Sequence, residues 1–286
     1  MADEWYYEQF ENHTRLGMQV RRHLVSEQSE FQKIELFEAE RYGRVLALDG
    51  VYQTSELDEH FYHEMLVHPA MTSAPRIRRA LVIGGGDGGT AREVLKHPEV
   101  ETCVMVEIDA RVVEACKAHL PTIGTAWDDP RLSLRIGDGI AFVKEADTEP
   151  FDVIFLDGSD PIGPSTGLYD EAFYRGCARV LAPEGIFALQ SESPFLMREI
   201  FLQIQDTLGR VFDRVDPYFG PAPIYGCGIW SWTCASRGVD PMAITESRAE
   251  RIEAQSRYYN RDIHRGAFAV PNDLRRRDGH PGVETA

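Results

Sequence analysis

The sequence predicts an α/β protein: a doubly wound, mostly parallel sheet preceded by a small N-terminal antiparallel β domain. Three observations point there. From about Arg78, short apolar runs alternate with helical patterns. A glycine-rich turn joins the first of those runs to a helix. Before residue 72 the pattern is of extended segments broken by hairpin turns.

Taken in order, residues 31–38 are largely apolar and polar in alternation, as a half-buried strand requires. The run Gly43-Arg44-Val45-Leu46-Ala47-Leu48-Asp49-Gly50 ends in an Asp-Gly turn, and residues 51–55 resume the extended pattern. A helix is expected over 57–71, with Asp58 and Glu59 in its first turn complementing the dipole. Strands follow at 80–84, 102–108, 132–136, 153–156 and 186–190, and helices at 89–96, 110–119, 140–145, 170–180 and 196–208. Residues 214–219 and 229–236 read as strands joined by a loop alone, so they should pair antiparallel. A parallel sheet ending in an antiparallel strand is, by analogy of fold, Rossmann-like of the methyltransferase type. The tail from about Ser256 is aromatic and basic, and Tyr258, Tyr259 and Asn260 are expected to pack on the body. Two units result, residues 1–72 and 73–286.

The formal charge of −16 argues against nucleic acid or an anionic membrane as partner, since both need basic surfaces. It suits a cationic ligand, or simply solubility. The five cysteines are odd in number and form no C-x-x-C pair; Cys103 and Cys234 fall in expected strands as core residues. A reducing, cytoplasmic setting fits that usage. Met1 to Trp5 carry no basic segment followed by an apolar one, so no signal peptide is expected, and no apolar run is long enough for a bilayer.

The chemistry gathers at two places. Ala80-Leu81-Val82-Ile83-Gly84-Gly85-Gly86-Asp87-Gly88-Gly89 is a strand entering a turn that satisfies G-x-G-x-x-G through Gly84, Gly86 and Gly89. The next strand ends in Glu107-Ile108-Asp109, an acid about 20 residues on, where ribose hydroxyls are bound in such sites. A nucleoside-containing ligand follows. Asp87 inside the loop opposes the pyrophosphate of NAD and the carboxylate of S-adenosylmethionine. At ~4 Å and an effective dielectric of ~20, a charge pair is worth about 4 kcal/mol before desolvation. A cofactor with adenosine, sulfonium and amine but no carboxylate suits Asp87, and decarboxylated S-adenosylmethionine is such a molecule. The second place is Phe151-Asp152-Val153-Ile154-Phe155-Leu156-Asp157-Gly158-Ser159-Asp160-Pro161, an apolar strand delivering two carboxylates at its carboxyl end. Ligands of open α/β sheets bind there, and Asp157 and Asp160 make a receptor for a cation and a base for its proton.

With these motifs in hand, the chain resembles the spermidine synthase family of polyamine aminopropyltransferases, in its bacterial branch. FQKIELFE, YGRVLALDGVYQTSELDEHFYHEML, VIGGGDGGTAREVLKH, VEIDARVVEACK, GDGIAFV, FDVIFLDGSDPIGP and YYNRDIHRGAFAVP carry the resemblance, from about residue 31 to 271. It implies that Gln32 and Gln53 reach the adenosine, Glu107 the ribose, and Asp138 and Gly139 the adenine. It implies that Pro164 touches the nucleoside and that Asp87 holds the aminopropyl amine. Asp157 matches the catalytic base and Asp160 its partner in binding the diamine. Tyr62, His63 and Tyr225 match the polyamine site; Trp5 and Glu192 resemble further acceptor positions. The implied reaction is an SN2-like transfer from decarboxylated S-adenosylmethionine to putrescine, with no metal, in a homodimer or homotetramer. Cadaverine, agmatine or a longer polyamine remain open as acceptors. So do, as rival classes, a methyltransferase, a nicotinamide oxidoreductase and a non-catalytic polyamine-binding protein. One departure stands out: many members follow the tyrosine with Pro-Ser-Gly, where this chain has Tyr225-Gly226-Cys227-Gly228. Glycine for proline should loosen the backbone beside the acceptor. His60 and His63 are the nearest approach to a metal-ligand pair in the sequence, and none is expected there.

Overall fold

The computed structural model describes residues 4–10, 14–145, 147–161, 163–275 and 283. Five strands open the chain: β1 (Glu4–Phe10), β2 (Thr14–Gln28), β3 (Lys33–Ala39), β4 (Gly43–Leu48) and β5 (Val51–Ser55). They form one antiparallel sheet in sequential order. Asp49 (φ 50°) and Gly50 (φ 87°) are both left-handed, the pair of conformations a two-residue hairpin turn demands. β2 is the element least visible beforehand. Register shifts at Val20/Arg22 and His23/Val25 break its alternation, so the period-2 signal is lost over its fifteen residues. One face of the sheet packs Ile34, Leu36 and Leu46 against Val112 and Cys116. That contact ties the small sheet to the larger unit.

The linking helix α1 (Glu59–Ser73) is buried along nearly its whole length. Its Met65, Leu66, Ala70 and Met71 join Val82 and Phe155 in the core of the larger sheet. Helix α1, placed in the first unit by the sequence reading, packs against the larger sheet. Asp58 is the residue before the first turn, and its carboxylate accepts from Ser55 Oγ (2.5 Å) instead of capping helix N–H groups. Pro69 lies inside α1 and has no N–H for the Met65 carbonyl. The Tyr218 hydroxyl donates to that carbonyl instead, at 2.9 Å.

The larger sheet contains β6 (Arg79–Gly84), β7 (Thr102–Glu107), β8 (Leu132–Ile136), β9 (Phe151–Asp157), β10 (Leu181–Gln190), β11 (Arg214–Gly220) and β12 (Trp230–Ser236). Their order is β11-β12-β10-β9-β6-β7-β8. β12 runs antiparallel to both neighbours, as the loop-only connection required. Helices α2 (Gly89–Leu95), α3 (Ala110–His119), α4 (Gly139–Glu145), α5 (Glu171–Val180) and α6 (Arg198–Gly209) complete a Rossmann-like, doubly wound domain. The chain leaves β6 toward β7 and β8, then returns to lay β9 on the other side. That reversal opens a crevice at the carboxyl ends of β6 and β9, the usual ligand position in this architecture.

After β12 come α7 (Glu246–Glu253) and α8 (Arg261–Ala267). The Glu64 carboxylate of α1 accepts the backbone N–H groups of Arg257, Tyr258 and Tyr259, each at 2.8 Å, which pins the tail to the body as expected. All five cysteines are free and buried. Trp232 is core, stacked on Tyr218. Among the described residues no helix is long and apolar enough to cross a membrane.

Candidate active site

A cleft of about 1000 Å³, counting its open mouth, lies at the crevice. Gln32, Gln53, Tyr62, His63, Gly84, Gly86, Asp87, Glu107, Asp138, Gly139, Asp157 and Tyr225 all line it. Beside it is a smaller chamber of about 480 Å³ lined by Glu8, Asp160, Gln190, Glu192, Cys227 and Trp230. Gln53, Tyr62 and Tyr225 line both. The residues expected around a nucleoside and those expected around a diamine thus fall in adjoining spaces with a shared wall.

The glycine loop makes room for the protein's own reactive groups as well as for a ligand. Gly84 has φ +80°, and a Cβ there would lie 2.2 Å from the Asp157 carbonyl oxygen. The Gly85 N–H donates to that same oxygen (2.9 Å), locking the loop to the end of β9. A Cβ on Gly86 would lie 3.2 Å from the Glu107 carboxylate, and one on Gly89 2.3 Å from the His63 ring.

At the end where the sequence reading placed a nucleoside, Glu107 accepts the Asp109 N–H (2.9 Å), and burial pushes its carboxyl up to about 7. Gln32 Nε2 donates to Asp109 Oδ2 (3.1 Å), joining the small domain to this corner. Asp138 Oδ1 takes the Ile140 N–H (2.7 Å) at the start of α4. The Tyr225 hydroxyl donates to the Gln53 carbonyl (3.0 Å), bridging the small domain and the β11–β12 loop. The Pro164 side chain lies outside what the structure describes.

Asp157 lines the larger cleft, and its neighbour Gly158 and its partner Tyr62 line both spaces. Its Oδ1 accepts from the Tyr62 hydroxyl (2.8 Å) and its Oδ2 from Thr90 Oγ1 (2.7 Å). Burial raises it above the usual carboxylate range and the Asp87 charge adds to that; the His63 charge and the two hydroxyls hold it down. Thr90, at the first turn of α2, escaped the sequence reading.

Asp87 is not the bare carboxylate of that reading. Its Oδ1 caps the Gly89 N–H (2.8 Å) and its Oδ2 lies 3.3 Å from His63 Nε2. His63, Asp87 and Asp157 each offer an atom within 4.8 Å of the others, a cluster that no sequence spacing of histidines signals. His60 has no part in it.

The smaller chamber is acidic. Burial raises both Asp160 and Glu192, and the Asp160 charge adds to the rise at Glu192, whose Oε1 accepts from Gln190 Nε2 (3.1 Å). Glu192 also has a left-handed backbone (φ 69°), a conformation that turns a non-glycine residue inward at some cost. Glu8 is the third acid, pushed up to about 8 chiefly by burial, with Asp160 contributing. The sequence reading did not name Glu8; from the same strand it named Trp5 as a further acceptor position. Strand alternation separates the two. In β1, Tyr6 and Glu8 face inward, with the Tyr6 hydroxyl on Glu35 Oε2 (2.8 Å), while Trp5 and Tyr7 face out. Trp5 is 48 % exposed and lines neither space.

In the departing segment, Gly226 (φ 64°) and Gly228 (φ 78°) are both left-handed. Proline, fixed near φ −65°, does not fit position 226 in this conformation. The segment is thus shaped differently rather than merely loosened, and it turns buried Cys227 toward the acidic chamber.

Fold and site define a class: a Rossmann-like transferase whose nucleoside-type cleft adjoins an acidic chamber. Comparison with known proteins agrees. Residues 59–244 match the spermine/spermidine synthase domain, and residues 4–56 the spermidine synthase tetramerisation domain. A polyamine aminopropyltransferase of Prochlorococcus marinus (strain MIT 9313) is 44% identical over 96% of each chain. That of Bacillus subtilis (strain 168) is 38% identical over 95% of this chain and 97% of its own. A spermidine synthase crystallised with the transition-state analogue AdoDATO superposes with TM-score 0.92 at 38% identity, over 96% of this chain and 94% of that one. The Thermotoga maritima spermidine synthase gives 0.91 at 37% identity with the same coverage. The chain belongs to the spermine/spermidine synthase family and is an enzyme of the polyamine aminopropyltransferase class.

Proposed function

We propose that the enzyme moves the aminopropyl group of decarboxylated S-adenosylmethionine to putrescine, giving spermidine and methylthioadenosine. The observation that carries this reading is Asp157 in the larger cleft, hydrogen-bonded to Tyr62, a residue that also lines the chamber holding Glu8, Asp160 and Glu192. The nucleoside lies against Gln32, Glu107 and Asp138, its aminopropyl amine near Asp87. The diamine enters the acidic chamber with its distal ammonium between Asp160, Glu192 and Glu8. An aliphatic ammonium, with a pKa near ~10.4, has no lone pair at neutral pH. Asp157 takes its proton, helped by a carboxyl that burial has made more basic. The freed amine attacks the carbon bonded to sulfur; the C–N bond forms as the C–S bond breaks and its electron pair neutralises the sulfonium. Alignment of the two reactants supplies several kcal/mol, ~7–11 at the upper range. The sulfonium is already an activated leaving group, so the step needs no metal.

The match of residues 4–56 to a tetramerisation domain supports a homotetramer. Five free, buried thiols are compatible with a cytoplasmic setting. The test is turnover with putrescine, cadaverine, agmatine and spermidine, by wild type and Asp157→Asn. Putrescine should give the highest kcat/KM, and Asp157→Asn should lower kcat at least about a thousandfold with nucleoside binding retained. A loss below about tenfold, ~1.4 kcal/mol, removes Asp157 as the base. A better acceptor among the other three corrects the substrate but leaves the chemistry standing.

A further inference from the structure

The His63 ring is almost wholly buried, 2 % exposed, with a carboxylate at each nitrogen. Nδ1 meets Glu59 Oε2 at 2.7 Å, one helical turn back on α1, and Nε2 meets Asp87 Oδ2 at 3.3 Å. A neutral imidazole has a single N–H, so one of these contacts would set lone pair against lone pair. An imidazolium satisfies both. We infer that Glu59, which lines neither space, is a positioning residue: it holds the His63 ring doubly protonated and turned so that its second N–H reaches Asp87.

The surroundings support this. Arg92 of α2 grips Glu59 twice, Nη2 to Oε2 at 2.6 Å and Nη1 to Oε1 at 3.2 Å, and is itself anchored on the Ile123 carbonyl (2.9 Å). The absent Cβ of Gly89 leaves the ring just enough room against the start of α2. The charged and titratable groups facing the ring are Glu59 and Tyr62 from its own helix, Asp87 from the loop and Asp157 from the end of β9, with Arg92 behind Glu59. Burial disfavours the charged ring, but Asp87 and Glu59 outweigh it and raise His63 well above its ordinary range. Burial likewise opposes the Glu59 charge, yet His63 and Arg92 bring it down to about 2. For function this rests on the reading above: the imidazolium offsets one of the two carboxylates at the aminopropyl end and stops Asp87 from swinging.

The test is nitrogen-15 NMR of labelled histidine in the free enzyme, with steady-state kinetics alongside. In wild type both His63 nitrogens should stay protonated from about pH 6 to 8.5. In Glu59→Gln, whose amide fits the same space, the ring should titrate with a midpoint at least about one unit lower. The KM for decarboxylated S-adenosylmethionine should acquire an ionisation at that midpoint, absent in wild type, while KM for the diamine stays within about twofold. A wild-type His63 that loses a proton near pH 6.5, or a midpoint unmoved in Glu59→Gln, overturns the inference. Should the variant not fold, the wild-type spectrum alone decides. The NMR readout requires no turnover, so it stands apart from the fate of the proposed reaction.

Discussion

Single residues show what local sequence can and cannot disclose. The glycine loop and the Asp157–Asp160 pair were legible because each is contiguous and its chemistry depends on near neighbours. Glu8, Thr90 and the Glu59–His63–Asp87 arrangement were not. Thr90 reaches Asp157 across 67 residues and Tyr62 reaches it across 95, distances at which no spacing rule operates. On the proposed function Asp87 selects an amine over a carboxylate, with its charge partly offset by His63. Asp87→Asn should weaken binding of decarboxylated S-adenosylmethionine at least about tenfold and narrow its preference over the carboxylated form, read by calorimetry with both nucleosides. An unchanged ratio between them removes charge selection at this position. Glu8 carries a pH signature. Its carboxyl is neutral below about 8 and anionic above, and only the anion attracts the distal ammonium. The kcat/KM for putrescine should therefore climb through pH 8, on top of the general rise from pH 6 to 9 as more amine becomes neutral. Glu8→Gln should lose that step and raise KM about tenfold. A step that survives the substitution assigns it to another group.

At the scale of elements, strands and helices that are periodic in sequence fell where expected within a few residues, from 132–136 to 110–119. β2 hid its pattern behind two register shifts, and α1 concealed a proline in a run whose burial is nearly continuous. Helix α1 holds the site together: Tyr62 and His63 line the cleft, Glu59 backs His63, Glu64 fixes the tail, and Pro69 creates the vacancy that Tyr218 fills. Tyr218→Phe strands the buried Met65 carbonyl and should cost about 1–3 kcal/mol in urea unfolding. The partner variant makes the cause plain. Pro69→Ala restores an N–H for that carbonyl, so in its background the same Tyr218→Phe change should cost markedly less. Equal costs in both backgrounds would mean the hydroxyl stabilises by some other contact.

For the whole molecule, an acidic chain has gathered several of its carboxyls into two adjoining spaces, and this should be visible in stability against pH. Glu8, held up to about 8, and Glu107, held up to about 7, stay protonated in the folded free enzyme at pH values where the unfolded chain has released those protons. Asp160, Glu192 and His63 are shifted the same way. A raised folded-state pKa contributes stability that is complete below the unfolded pKa and is lost as pH rises through the folded one. Groups shifted downward act elsewhere. Burial lowers His264 to about 4 and holds His97 well below its usual value, but their contribution is complete by pH 7, and that of Glu59 is lost only in acid. From pH 7 to 9 the remaining terms share one sign. The buried thiols, raised by burial, add to it as the unfolded cysteines ionise near ~8.5. The free enzyme should therefore lose stability across that window, Glu8 alone giving about 1 kcal/mol by pH 9, or ~2–4 °C in Tm. Saturating diamine supplies the missing cation and favours the ionised chamber, so its stabilising effect should grow over the same interval. Thermal unfolding at pH 7, 8 and 9, with and without putrescine, reads both trends. A Tm that holds or rises in the free enzyme, or a putrescine shift that shrinks with pH, would mean these carboxyls are already ionised without a ligand.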